Sequence, residues 1–173
     1  MMPSITFSYF DAMSSEDLLN LLRRYARAAK KDDSACKSLS FHQDQVATSL
    51  GFNNWSMLHK HLSAALWNET HKLLMLAIKK PGLGDFIDTH AYRTIDEDET
   101  TTRMKQWARA KYTPLIEFAF YDSESETGFS WPDVDMVTEL GEEFAGKVPQ
   151  DLIEKVGYEL ERDGPWGLEE YGD

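Results

Sequence analysis

The chain has 173 residues, of which 42% are hydrophobic and 12% aromatic, and its 18 Lys/Arg against 30 Asp/Glu give a formal net charge of −12 at pH 7. This composition supports a folded core and argues against wholesale disorder. No apolar run approaches the roughly 18 residues that a membrane span requires, and we expect neither a membrane segment nor a signal peptide. Cys36 is the single cysteine, so an internal disulfide is excluded and a cytoplasmic location is the default expectation.

The first elements along the chain are predicted to be a strand and a long helix. Residues 5–9 (ITFSY) alternate apolar and polar side chains, which indicates a short strand or an extended arm. Ser14 and Asp17 have the spacing of a capping box, so we expect a helix over about 15–31. One face of this helix is apolar and consists of Leu18, Leu22, Tyr25 and Ala29.

Residues 38–62 have the pattern of two helices joined by a tight turn. Ser40 and Gln43 have capping-box spacing, which predicts a helix over about 41–50. Gly51 then suits the left-handed conformation just past a helix end. The next helix carries apolar residues at helical spacing, namely Trp55, Leu58, Leu62, Ala65 and Leu66.

A segment rich in Pro and Gly is predicted to close this helical part. Asn53 or Asn54 can cap the helix that carries Trp55, and that helix either runs on or bends and restarts through 71–80. We expect Trp55 to be buried and structural, because it shares the apolar face of its helix. Residues 81–85 (PGLGD) predict the end of the helical part.

The rest of the chain mixes predicted strands and helices. Residues 90–95 are compatible with a strand, and 97–111 resemble a helix with an acidic first turn. Residues 113–122 (TPLIEFAFYD) are the strongest strand prediction, because apolar side chains alternate along them. Residues 123–128 predict a loop tip, and 162–173 a loosely held tail.

Two prolines are predicted to open the last helices, which completes an α+β fold. Pro132 opens one that carries Val134, Val137, Leu140 and Phe144, and Pro149 opens one that carries Leu152, Ile153, Val156 and Leu160. We expect a helical N-terminal module of three to four helices over 1–80, with a helix-turn-helix-like hairpin. An acidic α+β part over 86–173 follows, either separately or as one continuous domain with the module.

Charge is distributed unevenly along the chain. Residues 1–95 hold 11 Lys/Arg and 9 Asp/Glu, a net charge of +2, whereas 96–173 hold 7 Lys/Arg and 21 Asp/Glu, a net charge of −14. This acidity indicates either a solubilising surface or a negative surface that engages a basic protein. A nucleic-acid role for the acidic part is disfavoured, because phosphate binding needs clustered Lys/Arg.

The hairpin segment resembles a known helical module. The sequence LSFHQDQVATSLGFNNWSMLHKHL is similar to a segment that accompanies bacterial glyoxalase-superfamily proteins and recurs in small proteins of plasmids and other mobile elements. The matching positions are Leu39, Ser40, Gln43, Val46, Ala47, Leu50, Gly51, Phe52, Trp55 and Leu58. The resemblance covers residues 15–66 and implies a helical accessory module without catalytic residues. Residues 67–173 do not resemble the metal-binding glyoxalase repeat, so lyase activity is not implied.

DNA reading by the hairpin is the alternative interpretation. A reading helix presents polar and basic residues to the groove. The candidates here carry one full positive charge among them and are Asn53, Asn54, Ser56, His59, Lys60 and His61. The stronger cations lie on the first helix, namely Arg23, Arg24, Arg27, Lys30 and Lys31. Helical packing is therefore favoured over DNA reading, and specific DNA binding is disfavoured.

No catalytic, cofactor-binding or metal-ligating residue is predicted, and the partner-binding residues are not assigned. His59, His61 and His71 are the one histidine cluster, but His59 and His61 lie two apart and face different sides of a helix. Cys36 is expected to be an incidental loop cysteine. We expect a non-enzymatic protein that binds a basic partner, in the role of an antitoxin, an anti-defence protein or a mobile-element accessory factor. The alternative is a DNA-binding regulator that uses 40–62.

Overall fold

A computed structural model describes residues 3–122 and 135–162, except for the side chains of 113–122. The chain divides into two compact units. The helical unit is Ser8–Tyr92, and the acidic unit combines Met1–Phe7 with Arg93–Asp173. Within the described residues there are eight α-helices and one two-stranded sheet, which confirms the predicted helix-rich α+β fold. None of the described helices is both long and apolar enough to cross a membrane.

The helical unit is built around its first helix. Its helices are α1 (Ser15–Asp32), α2 (Leu39–Ser49), α3 (Trp55–Ala64), α4 (Trp67–Ile78) and α5 (Leu83–His90). α1 contacts each of the other four helices. Its buried face consists of Leu18, Leu19, Leu21, Leu22 and Ala26. Burying a leucine side chain contributes roughly 1.5–3 kcal/mol, so the four buried leucines of α1 make a large contribution to stability.

The predicted capping box at the start of α1 is confirmed. The Ser14 hydroxyl accepts a hydrogen bond from the Asp17 backbone N–H at 3.1 Å. In return, the Asp17 carboxylate accepts one from the Ser14 backbone N–H at 3.2 Å. Two of the backbone donors that a helix start leaves without partners are thereby satisfied.

The start of α2 differs from the prediction by two residues. Ser38, and not Ser40, is the N-cap, and its hydroxyl accepts from the Phe41 backbone N–H at 3.2 Å. Ser38 has the extended backbone, φ −67° and ψ 159°, that a cap position requires, whereas Ser40 already lies in the first turn. Gly51 has φ +91°, as expected for the residue that ends this helix in the left-handed conformation.

The segment 81–85 does not end the helical part, because α5 begins within it at Leu83. Gly82 makes the reversal possible with φ +78°, a conformation that other residues rarely adopt. Gly84 then lies against α4, where a Cβ atom would fall 2.2 Å from the carbonyl oxygen of Ile78. Glycine at 84 therefore allows α4 and α5 to approach closely. Of the two alternatives for the segment after α3, the structure has the restart, at Trp67.

The acidic unit begins with an antiparallel pair of strands. These are β1 (Ser4–Ser8) and β2 (Tyr92–Asp96), close to the predicted positions. The Thr6 and Thr94 hydroxyls are 2.8 Å apart, and the Glu97 backbone N–H donates to the carbonyl of Pro3 at 3.0 Å. Thr6 pairs with Thr94, and the earlier Pro3 pairs with the later Glu97. This order of pairs shows that the strands are antiparallel.

The strand prediction for 113–122 is wrong, because α6 (Glu97–Asp122) continues through this segment. A helix that has already formed gains one hydrogen bond for each residue added, whereas a strand also needs a neighbouring strand. The strong helix formers Lys, Arg and Ala precede the segment and favour this continuation, even though Pro114 removes one backbone hydrogen bond. The alternation of apolar and polar side chains over these ten residues therefore predicted the secondary structure less well than the helix-forming sequence before them.

Two further helices, α7 (Met136–Phe144) and α8 (Gln150–Arg162), pack against each other and against α6. Their buried residues include Leu140, Phe144, Leu152, Ile153, Val156 and Leu160, as predicted. α8 follows Pro149 as expected. α7 begins at Met136, and not at Pro132, because the Asp135 carboxylate caps it by accepting from the Thr138 backbone N–H at 3.1 Å. Pro132, Val134, the predicted loop 123–128 and residues 163–173 of the predicted tail lie outside the described residues.

Candidate functional site

The α2–α3 hairpin is fixed by polar contacts across its turn. The backbone N–H of Phe52 donates to the Ala47 carbonyl at 3.0 Å, which closes the end of α2. The Asp44 carboxylate accepts from the Trp55 backbone N–H at 2.8 Å, and so ties the start of α3 to α2. The sequence analysis did not identify Asp44, because this contact joins residues eleven apart across a turn. The hairpin is therefore held by its own side chains as well as by packing.

Trp55 is only partly buried, which corrects the prediction that it lies in the core. The buried residues of α3 are Leu58 and Leu62, with exposures of 0% and 1%. Trp55 is the first residue of α3, and the residues three and seven positions later face the interior. The apolar face was thus identified correctly, but its N-terminal member lies at the edge of the core.

The outward surface of α3 carries little positive charge. Ser56, Met57, Lys60 and His61 are exposed, and Lys60 is the one Lys/Arg residue of this helix. The His61 ring contacts Phe52, with ring centroids 5.2 Å apart. Base-edge and phosphate recognition by α3 would therefore depend on one lysine and neutral polar groups.

The cations of the helical unit are concentrated on α1 instead. Arg24, Arg27 and Lys31 are exposed at spacings of three and four, so they form one stripe along the helix. Lys30 is exposed beside this stripe. None of these four side chains makes an ion pair with a described residue. The positive surface and the would-be reading helix are therefore different elements.

The acidic unit has the opposite character. Residues 93–173 hold 8 Lys/Arg and 21 Asp/Glu, a net charge of −13, and Met1–Phe7 adds no charged side chain. Four of its cations are taken up by internal pairs, which are Arg103–Glu99, Lys105–Glu159, Lys111–Glu139 and Lys155–Glu97. Four exposed acids make neither an ion pair nor a side-chain hydrogen bond with any described residue, namely Asp98, Glu142, Glu143 and Asp151.

A hydrogen-bonded group joins α6 and α7 within this unit. The Glu139 carboxylate accepts from the Tyr112 hydroxyl at 2.6 Å and from the Lys111 ammonium at 2.9 Å. These two donors, Tyr112 first, lower the pKa of Glu139. Burial, and then the hydrogen bond to Glu139, raises the pKa of Tyr112. Both pKa values are shifted away from neutral pH, whereas a general acid or base needs a pKa near neutral pH. We therefore interpret these three residues as a structural link between α6 and α7.

The predicted histidine cluster is not brought together. The His59 ring lies near Ser63, His61 contacts Phe52, and His71 stacks on Trp67 with centroids 5.0 Å apart. Among the residues that the structure describes, no group of three or more His, Cys, Asp and Glu side chains could hold a metal ion. Cys36 is exposed in the loop between α1 and α2.

Comparison with protein-family models, with curated proteins and with solved structures found no match to this chain. The resemblance of residues 15–66 to the glyoxalase-associated segment therefore stays a prediction. Its helical content agrees with α1, α2 and α3, but helical hairpins of this kind occur in many unrelated proteins. The arguments on function below rest on the charges and contacts of the chain itself.

Proposed function

We propose that this chain is a non-enzymatic cytoplasmic protein that binds a basic partner protein through its acidic unit. The observation that carries the proposal is the net charge of −13 on residues 93–173, beside a nearly balanced helical unit. An antitoxin, an anti-defence protein or an accessory factor of a bacterial mobile element would each use such a surface. The resemblance of residues 15–66 supports the last of these settings.

The physical basis is electrostatic steering. Unpaired surface acids raise the rate at which a positive partner meets the acidic unit, and they repel partners of like charge. Because Asp98, Glu142, Glu143 and Asp151 are exposed and make no ion pair with a described residue, binding would not have to break internal salt bridges at these positions. Complementary charge then sets partner choice and association rate more than final affinity.

A pair of charge-matched variants tests this proposal. In the first, the four acids are neutralised as Asp98→Asn, Glu142→Gln, Glu143→Gln and Asp151→Asn. In the second, the same number of exposed acids is neutralised on the helical unit, as Asp11→Asn, Glu16→Gln, Asp85→Asn and Asp88→Asn. The partner is first captured from the native host at low salt, identified and purified, and its association rate with each full-length variant is then measured.

The two variants change the net charge of the chain by the same amount. Any difference between their association rates therefore reports where the removed charges lie. We expect the acidic-unit variant to slow association about tenfold, because several charges of the encounter surface are lost. The helical-unit variant should stay within about twofold of the parent. Equal effects of the two variants would show that overall charge, and not the acidic unit, governs encounter.

A DNA-binding regulator that uses 40–62 is the second candidate, and the stripe of exposed cations on α1 favours it. Some helix-turn-helix proteins place one helix across the DNA backbone while another enters the groove. Against this, α3 contributes only Lys60, and the net charge of −12 repels phosphate at long range. We therefore expect no specific binding to duplex DNA.

Fluorescence anisotropy tests this alternative with a random duplex and with the upstream region of the protein's own coding sequence. We expect weak binding that does not distinguish the two sequences. Sub-micromolar, sequence-dependent binding at about 150 mM salt would favour the regulator, provided that Arg23, Arg24 and Arg27→Ala together abolish it. A control variant replaces Lys72 on α4 and Lys79, the residue that follows α4, by alanine.

A further inference from the structure

A cleft on the helical unit is lined by a buried histidine that is paired with an aspartate. The cleft has a volume of about 280 Å³ and lies among α1, α2 and the turn between α4 and α5. Tyr25 from α1, His42 from α2 and Lys80 from the turn are among its lining residues. This volume is slightly below the range of about 300–1,000 Å³ that is typical of ligand pockets, so an occupant would be small.

The histidine is held in one orientation by Asp33. His42 is 8% exposed, and its Nε2 lies 3.0 Å from an Asp33 carboxylate oxygen. Asp33 also accepts hydrogen bonds from the backbone N–H groups of Ala35 at 2.9 Å and Lys37 at 3.2 Å. These bonds, with that of Ala35 first, lower the pKa of Asp33 and keep it ionised. The loop after α1 thus holds the Asp33 carboxylate in place, and this carboxylate sets the orientation of the His42 ring.

The other ring nitrogen of His42 is left for a ligand. Nδ1 has no hydrogen-bond partner among the described residues. In the described part of the chain, no buried side-chain nitrogen or oxygen lacks such a partner, so Nδ1 is not fully buried. His42 lines the cleft and keeps a small exposed fraction of 8%. With Nε2–H donated to Asp33, Nδ1 of the neutral ring accepts a hydrogen bond.

The remaining lining combines apolar surface with one cation. Val46, Pro81 and Leu83 supply apolar side chains, and Lys80 is the one Lys or Arg in the lining. Lys80 is partly buried and makes no ion pair with a described residue. An ammonium group that is partly shielded from water attracts an anion more strongly than an exposed one does.

An adjoining cleft of about 370 Å³ limits where a negative ligand can lie. The two clefts share Tyr25 and Ala29, and the second is lined by Asp32 and Asp85. These carboxylates would repel an anion, which confines it to the side with His42 and Lys80. A Cβ atom at Gly82 would lie 3.2 Å from the Tyr25 hydroxyl, so glycine there lets the turn approach the shared wall.

We propose that the His42 cleft binds a small organic anion that has an apolar body and a hydrogen-bond donor. The anionic group pairs with the Lys80 ammonium, and the donor binds Nδ1 of His42. The apolar body packs on Val46 and Leu83. Asp33 is a positioning residue, since it acts on the ligand only through the orientation of the imidazole ring. The residues of this site belong to the helical unit, and the proposal does not depend on the proposed partner.

Three probes separate these contacts. 4-Hydroxybenzoate has the anion, the ring and the donor, benzoate lacks the donor, and 4-hydroxybenzyl alcohol lacks the anion. Binding to the full-length parent is followed by NMR of the histidine ring nitrogens. Backbone amide shifts of the cleft residues give the affinities of the parent and of the variants His42→Gln and Lys80→Met. Glutamine at 42 keeps an N–H donor for Asp33 but removes the ring acceptor, and thermal melting verifies that both variants fold. His59→Gln is the control, because His59 lies outside the cleft lining.

We expect saturable binding of 4-hydroxybenzoate with a Kd on the order of 1 mM, typical of so small a ligand. His42→Gln should weaken it about three- to tenfold, yet leave benzoate binding unchanged. Lys80→Met should weaken both acids about tenfold and leave the alcohol unchanged. The proposal is overturned if the His42 ring signals do not respond to 4-hydroxybenzoate, or if both variants bind all three probes as the parent does. Weakening by His59→Gln would equally count against it.

Discussion

The two units of this chain differ in net charge and in how their cations are paired. The helical unit holds 10 Lys/Arg and 9 Asp/Glu, a net charge of +1, yet none of its Lys/Arg makes an ion pair with a described residue. In the acidic unit, with a net charge of −13, the described ion pairs join Arg103, Lys105, Lys111 and Lys155 to acids. In the acidic unit, the few cations are largely neutralised by neighbouring acids, and other acids stay exposed without an ion pair. The charge of the local surface is therefore set by these unpaired acids.

The units also differ in how their cores are assembled. In the helical unit, α1 contacts four other helices, and its own start is capped by Ser14 and Asp17. In the acidic unit, the close pairing of α7 with α8 is the main contact between described elements. Truncation of a buried side chain should therefore be costly in the helical unit. Within the acidic unit, an added atom should be harmful where α7 and α8 approach each other.

The largest effect is expected from Leu58→Ala in the helical unit. Leu58 has 0% exposure, so its truncation leaves a cavity and should lower the free energy of unfolding by about 2–5 kcal/mol. Chemical denaturation of the full chain, monitored by far-UV circular dichroism, measures this change. Trp55→Ala is the comparison and should cost less than the roughly 3–5 kcal/mol of a core tryptophan, because Trp55 is partly exposed. A larger loss for Trp55 than for Leu58 would restore the view that Trp55 anchors the hairpin.

Next in size is Gly157→Ala in α8. A Cβ atom there would lie 2.6 Å from a Val137 methyl carbon and 3.0 Å from its backbone, so the substitution should cost about 1–3 kcal/mol. Gly141→Ala in α7 is the matched control, since no heavy atom lies within 4 Å of its added Cβ. Alanine at 141 should stabilise the helix by up to about 1 kcal/mol. Thermal melts that shift in the same direction for both would contradict the packing of α7 on α8.

A smaller effect tests where α2 begins. Ser38→Ala removes the hydroxyl that caps the Phe41 N–H and should cost about 1 kcal/mol. Ser40→Ala changes an exposed position within the first turn and should alter stability by less than about 0.5 kcal/mol. Urea denaturation of the two variants distinguishes the positions. A greater loss at Ser40 would return the cap to the residue that the sequence pattern favoured.

The smallest expected effect depends on pH and concerns Glu139. Its pKa is lowered in the folded chain, so the unfolded chain takes up a proton first as the pH falls. The stabilisation by Glu139 is therefore present above the ordinary glutamate pKa of about 4.3 and is lost as the pH falls through the lower, folded value. Glu139→Gln should thus have a shallower acid loss of stability than the parent. Urea denaturation of the parent and of Glu139→Gln at a series of acidic pH values measures this difference. Profiles of the same steepness would contradict the role of Glu139.

Most of the helical unit could be predicted from local sequence signals. The capping box at Ser14 and the left-handed Gly51 act between neighbouring residues, so a pattern is enough to find them. Of the apolar face predicted for α1, Leu18 and Leu22 are buried, whereas Tyr25 and Ala29 are only partly buried. Two of the errors arose where two local signals competed. Ser38 and Ser40 both suit a cap, and the alternation at 113–122 competed with an upstream helix that extended through it.

The contacts at the candidate sites could not be predicted in this way. Glu139 meets Tyr112 across 27 positions, and the Asp33–His42 pair depends on how a loop folds back onto α2. Neither has a motif, because the partners meet only after the helices have packed. The charge of the acidic unit, in contrast, is a property of the sequence alone, and the structure adds only which of its acids stay unpaired.

Salt dependence of partner association tests the central claim most directly. The association rate of the purified partner with the full-length chain is measured from about 50 to about 150 mM salt, a range over which the screening length falls towards about 8 Å. Encounter driven by the acidic unit predicts a steep fall in association rate with a much smaller change in dissociation rate, and a shallower fall for the variant with Asp98, Glu142, Glu143 and Asp151 neutralised. An association rate that stays flat across this range would contradict the claim.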